Sequence, residues 1–321
     1  MILQPATRPT FYFIGVTTGA SSIMRVFPQW AAHLGLGDVQ IKGIDLKPHD
    51  TVENYRAVVR FLKEDPLSYG ALVTTHKLDL FAACRDMFDE IDPHAALMAE
   101  TSCLSKRDGR LICHAKDPIS SGLALDGFLP ANHFADTGAE LLSMGAGGST
   151  IALTWHLAQA SRGANRPARM VITNRSQPRL DHIRDIHQQM GCDIPCDYVV
   201  AERAADNDAV MQGLKAGSVV INATGLGKDA PGSPLSFDGR FPQRGIVWEL
   251  NYRGDLVFLD QARAQQQARD LQIEDGWTYF IHGWTQVIAE VFDIVIPTSG
   301  PEFDAISRIA AEATGRVTEV A

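Results

Sequence analysis

The chain has 321 residues, about twice the length of an ordinary domain, so two packed cores are expected. Hydrophobic residues at 45% and charged residues at 21% are globular values, and no apolar run is long enough for a membrane-spanning helix. A net charge of -9, with the arginines scattered, leaves no basic footprint for a nucleic acid backbone.

Residues 1–10 lack the apolar core of a secretory signal, so a cytoplasmic protein is expected. The five cysteines, Cys84, Cys103, Cys113, Cys192 and Cys196, form no C-x-x-C pair and read as reduced thiols rather than as disulfides or a metal site.

From Phe11 onward, short apolar segments alternate with longer amphipathic ones, the signature of βα units around a largely parallel sheet. Strands are predicted over 12–16, 39–45 and 70–74, with helices over 22–34 and 52–64. Two further apolar stretches, 97–104 and 111–114, flank the turn signal Asp108-Gly109 and predict an antiparallel pair.

After Asp117, a connecting helix and the polar stretch 131–138 lead into a strand at 139–144. That strand opens a second series, with strands at 169–173, 197–200, 218–222 and 246–250. Two helical patterns, broken by Pro297, Gly300 and Pro301, close the chain.

The expected fold class is therefore α/β in two domains with a cleft between them. An N-terminal α/β substrate domain, 1–125, is completed by C-terminal helices at 277–321, and a Rossmann-type nucleotide-binding domain occupies 126–276.

Gly145-Ala146-Gly147-Gly148 directly follows an apolar strand and precedes a helical pattern, the context in which a glycine turn cradles a pyrophosphate at a helix N-terminus. Thr150 stands where the third glycine of the fingerprint belongs. The next strand ends in Asn174-Arg175-Ser176, where an NAD site usually carries an acidic residue. An arginine fork there points to a 2′-phosphate, and Arg179 adds charge from the following turn. Further on, Thr224 and Gly225 follow a strand ending at Asn222, a loop placed for close backbone approach to a dinucleotide.

The order of motifs resembles the shikimate/quinate dehydrogenase family over most of the chain. Val73-Thr74-Thr75-His76-Lys77 is similar to the family's lysine segment, and His114-Ala115-Lys116-Asp117 to its Asn-Thr-Asp stretch with the aspartate kept. The resemblance implies a divergent NADP-dependent dehydrogenase acting on a small polar substrate, with Lys77 and Asp117 as catalytic residues and, by family analogy, a homodimer. Oxidising a secondary alcohol releases the hydroxyl proton as hydride leaves the same carbon. A lysine whose pKa is lowered by desolvation can take that proton, while a neighbouring carboxylate favours the charged form.

The pocket departs from the family pattern. The Ser-x-Ser pair that holds a substrate carboxylate reads Ser21-Ser22-Ile23, the Val-Asn-Thr stretch reads Ala99-Glu100-Thr101, and His282 stands where the family has a glutamine. Loss of a hydroxyl at Ile23 and gain of Glu100 disfavour an anionic substrate, although Arg25, one helical turn from Ser21, offers a second carboxylate partner. Ser21, Glu100, Thr101, Tyr252 and His282 are the expected substrate contacts. The alternatives are a quinate-type or folate-type dehydrogenase, and a non-catalytic nucleotide sensor, against which the retention of both Lys77 and Asp117 argues.

Overall fold

The alternation of apolar strands and amphipathic helices is realised as two six-stranded sheets. The structure, a computed structural model, describes residues 3–228 and 230–316. One unit runs up to Lys116 and resumes at Ile281; the other is Asp117–Phe280.

The first unit contains β1 (Thr10–Gly15), α1 (Ile23–His33), β2 (Gln40–Asp45), α2 (Val52–Glu64), β3 (Ser68–Val73), α3 (Lys77–Cys84), β4 (Glu90–Ile91), α4 (Pro93–Met98), β5 (Cys103–Arg107) and β6 (Arg110–His114). Its sheet order is β2-β1-β3-β5-β6-β4. The strand β1 is parallel to β2 and β3, whereas β5 runs antiparallel to both β3 and β6. With Leu72 opposite Cys103 and Cys103 opposite His114, the ends of β3 and β6 and the start of β5 share one edge of the sheet. That edge is where the chain leaves toward Lys77, arrives from Glu100 and departs toward Lys116.

Helices bury the faces that their spacing dictates. In α1, Ile23, Val26, Phe27, Trp30 and Ala31 are buried, positions three and four apart on one stripe. Tyr12, Ile14, Val58, Leu62 and Val73 belong to the core on one side of this sheet. Phe11, with Phe27 at 5.3 Å and Trp284 at 6.2 Å between ring centroids, packs on the other.

In the second unit lie α5 (Asp117–Phe128), α6 (His133–Thr137), β7 (Leu141–Met144), α7 (Gly148–Ala158), β8 (Met170–Asn174), α8 (Gln177–Gln189), β9 (Cys196–Val200) and α9 (Ala204–Gln212). They are followed by β10 (Val219–Asn222), β11 (Ile246–Glu249), α10 (Val257–Arg263), α11 (Gln266–Arg269) and β12 (Gln272–Glu274). The helix α12 (Trp277–Phe292) carries the chain back into the first unit, which ends in α13 (Pro301–Thr314). The sheet order β12-β11-β10-β7-β8-β9 is all parallel. Numbered from β7, it is the doubly wound order of dinucleotide-binding sheets, with the strand order reversing between β7 and β10.

Three local readings are corrected. Leu97 and Met98 end a helix rather than start a strand, because Asp92 caps α4 by accepting from Ala95 N at 2.6 Å with Pro93 at the first helical position. Ala99 then turns the chain through the left-handed region (φ 49°). Pro301 opens α13 instead of breaking a helix, since its missing N–H costs nothing at the first turn. The polar stretch before β7 holds the short helix α6, and the two- and three-residue strands β4 and β12 had no readable pattern. No helix among the described residues is long and apolar enough to cross a membrane.

Candidate functional site

In the second unit, the strand ends at the switch point are built around backbone. Gly145, following β7, adopts φ 110°, and a Cβ there would lie 2.5 Å from Ala223 O, so only glycine fits. Gly147 precedes α7, and a Cβ on it would meet nothing within 4 Å, leaving the helix N-terminus open to close approach by a ligand. Ala146 is buried and Gly148 begins the helix. Thr150 replaces the third glycine productively: its hydroxyl donates to Gly145 O at 2.7 Å and lies 2.9 Å from Ser143 Oγ, pinning the turn to strand and helix.

Beside this turn, β8 ends at Asn174, whose side-chain amide donates to Ser176 O at 3.4 Å. Arg175 and Arg179 are exposed, and neither forms an ion pair among the described residues. The next strand end is braced by a carboxylate that the sequence reading passed over. Glu249 is fully buried and accepts from Asn222 Nδ2 at 2.5 Å, Asn251 N at 2.9 Å and Asn251 Nδ2 at 2.6 Å. Asn222 Oδ1 in turn accepts from Thr224 N and Oγ1, at 3.1 and 2.7 Å, which sets the loop leading to Gly225. Burial pushes the Glu249 carboxyl up to about 7, against the pull of those donors and of Lys228. A lone acid inside the apolar run Ile-Val-Trp-Glu-Leu was the available signal.

Tyr252 belongs to the same unit, in an aromatic cluster with Trp277 and Phe280 at centroid distances of 5.6 and 4.5 Å. Asp117 is the first residue of the unit, buried at the start of α5.

In the first unit, Lys77, Glu100 and Thr101 lie at its strand-end edge, while Ser21 precedes α1 and His282 is on α12. Lys77 is half-buried at the first position of α3, with its backbone carbonyl accepting from Thr101 N at 3.2 Å. Ser102 knits the edge: its carbonyl accepts from Val73 N, its N–H donates to His114 O, and its hydroxyl accepts from Lys116 N at 2.7 Å. Lys116 is fixed from its other end by Glu290, with Nζ and Oε2 2.5 Å apart. The backbone leading into Asp117 is therefore held by Ser102, just before β5, and by Glu290 on α12, neither of which had been singled out from sequence.

Glu100 is buried, directly after the left-handed Ala99, and Thr101 Oγ1 donates to Cys103 O at 3.2 Å. His282 on α12 is 2% exposed and stacks on Phe303 at 4.5 Å, and its Nδ1 has no hydrogen-bond partner among the described residues. Burial lowers its pKa to about 4, so it is a neutral ring at neutral pH. Ser21 is half-buried just before α1, Ile23 is fully buried in the α1 core stripe, and Arg25 is exposed. Position 23 thus supplies an apolar side chain to the α1 core stripe instead of a hydroxyl.

This chain is 26% identical over 180 residues to the NADP(+) shikimate dehydrogenase of Streptococcus thermophilus, covering 56% of this chain and 58% of that protein. It therefore spans under two thirds of the length of that curated relative. Shikimate 5-dehydrogenase from Thermus thermophilus, solved in complex with NADP(H) and shikimate, superposes with a TM-score of 0.68 at 19% identity, over 95% of this chain and 99% of that one. The fold is that of the shikimate dehydrogenases. The 5-ketofructose reductase of a Gluconobacter species has this fold too, with a TM-score of 0.65 at 16% identity over 95% of this chain and 98% of that one. No family model matches the chain. The glycine turn follows β7 of the parallel sheet, and Lys77 and Thr101 lie at the strand-end edge of the mixed one.

Proposed function

We propose that the chain is an NADP-dependent dehydrogenase that interconverts a secondary alcohol and a ketone on a small polyhydroxylated substrate of the shikimate type. The observation that carries this reading is Lys77 at the start of α3, at the end of β3, with its carbonyl bound by Thr101 N, in a chain that also has the glycine turn and an exposed Arg175. NADP, when bound, supplies the hydride acceptor. Gly145, Ala146, Gly147 and Gly148 hold its pyrophosphate at the α7 N-terminus. Asn174, Arg175 and Ser176 hold the 2′-phosphate, and Thr224 and Gly225 line the neighbouring loop.

Lys77 Nζ takes the hydroxyl proton in oxidation and returns it in reduction, and Asp117 binds a hydroxyl next to the reacting carbon. Ser21, Thr101 and Tyr252 supply hydroxyl contacts. Glu100 and neutral His282 set the preference among substrates. With Ile23 apolar and Glu100 buried, a neutral polyol or keto-sugar is favoured over a carboxylate. The same reading carries a cytoplasmic homodimer, for which light scattering in solution is the check.

The test is NADPH formation from NADP with a panel of shikimate, quinate, aminoshikimate and neutral polyols. Turnover of one of them at a rate far above that with NAD supports the reading. Tight NADP binding with no turnover across the panel favours a nucleotide sensor.

A further inference from the structure

The five cysteines fall into two classes. Cys84, Cys103 and Cys113 are buried in the first unit. Burial pushes Cys84 and Cys113 up to about 12 and Cys103 well above its ordinary value, so all three stay protonated and shielded.

Cys192 and Cys196 differ in every respect that governs thiol chemistry. Both are half-buried, Cys192 on the turn that follows α8 and Cys196 at the first position of β9. The turn wraps them round a single acceptor: Cys192 Sγ lies 3.9 Å and Cys196 Sγ 3.2 Å from Ile194 O. The two thiols also interact with each other, which lowers the Cys192 thiol below its ordinary value and raises Cys196, with Arg166 adding positive charge near Cys192. Arg166 is kept in place by Asp193, between the two cysteines in sequence, at 2.5 and 3.2 Å. Cys196 is held opposite Met170 in the β8–β9 pairing and Cys192 lies outside any strand, so closure is a movement of the Cys192 side of the turn.

We propose that Cys192 and Cys196 are a thiol–disulfide site that a peroxide oxidises to an intramolecular disulfide. Cys192 thiolate attacks one peroxide oxygen, the O–O bond breaks, and the leaving hydroxide takes a proton to become water. Cys196 sulfur then attacks the sulfur of the resulting sulfenic acid and expels its hydroxyl, which leaves as water with the Cys196 proton. The peroxide gains two electrons, and the two thiols lose them. The short loop turns both sulfurs to the same carbonyl, so the two thiols face one another across Ile194 and a disulfide would close a small ring.

The experiment treats the full chain with hydrogen peroxide, then denatures it, alkylates it with iodoacetamide and reads thiols and peptides by mass spectrometry. Five alkylated cysteines before oxidation should become three after it, with the peptide holding Cys192 and Cys196 lighter by two hydrogens and restored by dithiothreitol. In Cys196→Ser, a dimedone-reactive sulfenic acid should accumulate at Cys192, with an unchanged circular dichroism spectrum showing that the variant is folded. Five alkylated cysteines after treatment, a bridge between two chains, or sulfinic acid at Cys192 with Cys196 still free would each overturn the proposal.

Discussion

The strand-end edges of the two units are made of different material. In the second unit, the edge is backbone: Gly145 packs against Ala223 O, the N-terminus of α7 is open, and Thr150 and Asn222 hold the loops in shape. In the first, the edge carries side chains from distant parts of the sequence, Lys77 from one segment and Glu100 and Thr101 from another, with Ser21 and His282 elsewhere in the same unit. A backbone edge tolerates one ligand type and many sequences. A side-chain edge can change its ligand with a few substitutions, and Glu100, where the chain departs from the pattern it resembles, lies there.

If the side-chain edge carries the chemistry, Lys77→Ala should remove it and leave the other edge intact. A fall in kcat by about 10²–10⁴-fold is expected, with the NADP dissociation constant unchanged by calorimetric titration. An equal loss of NADP binding would break the division of labour.

The converse substitution is Gly145→Val. It forces a side chain into Ala223 O at a positive φ and should cost roughly 1–3 kcal/mol in urea unfolding, with loss of NADP binding. Retained NADP affinity at full stability would show that the turn is not the nucleotide cradle.

Arg175→Ala sharpens the same edge. Losing one charge-assisted hydrogen bond should weaken NADP by roughly 10- to 100-fold and leave NAD unaffected. On the other edge, Glu100→Gln should raise kcat/KM for carboxylate substrates relative to neutral polyols by at least about tenfold, as an amide that can donate replaces a carboxyl group.

The pH dependence has opposite signs for two buried groups, one in each unit. His282 in the first unit is held at about 4 against an ordinary 6.5, so the unfolded chain binds more protons between those values and stability falls as pH drops from 6.5 to 4. Glu249 in the second unit is raised to about 7 from 4.5, so the folded chain holds the extra proton and stability falls as pH rises from 4.5 to 7. Unfolding curves at several pH values should flatten on the acid side in His282→Gln and toward neutrality in Glu249→Gln. His187, also lowered to about 4 by burial, keeps part of the acid slope in both variants.

The same contrast explains what could be read in advance. The parallel sheet and its glycine turn were legible because backbone constraints leave a residue signature at the position itself: Gly145 for its φ, Asp108-Gly109 for the β5–β6 hairpin with both residues at positive φ. Lys77 was singled out by resemblance, not by periodicity, since a half-buried lysine at a helix start has no pattern of its own. Ser102, Glu290 and Glu249 went unnoticed because their roles are to hold other residues through contacts between sequence-distant segments. The α4 error came from reading apolar residues at 97 and 98 without weighing the Asp92-Pro93 cap before them.

The most direct test of the central claim follows the hydride itself. The best substrate of the panel, carrying deuterium on its carbinol carbon, is incubated with NADP and the chain, and the nucleotide product is weighed by mass spectrometry. Reduced NADP bearing one deuterium is the predicted result. Reduced nucleotide without the label, or none at all with every panel substrate while NADP remains bound, would contradict it.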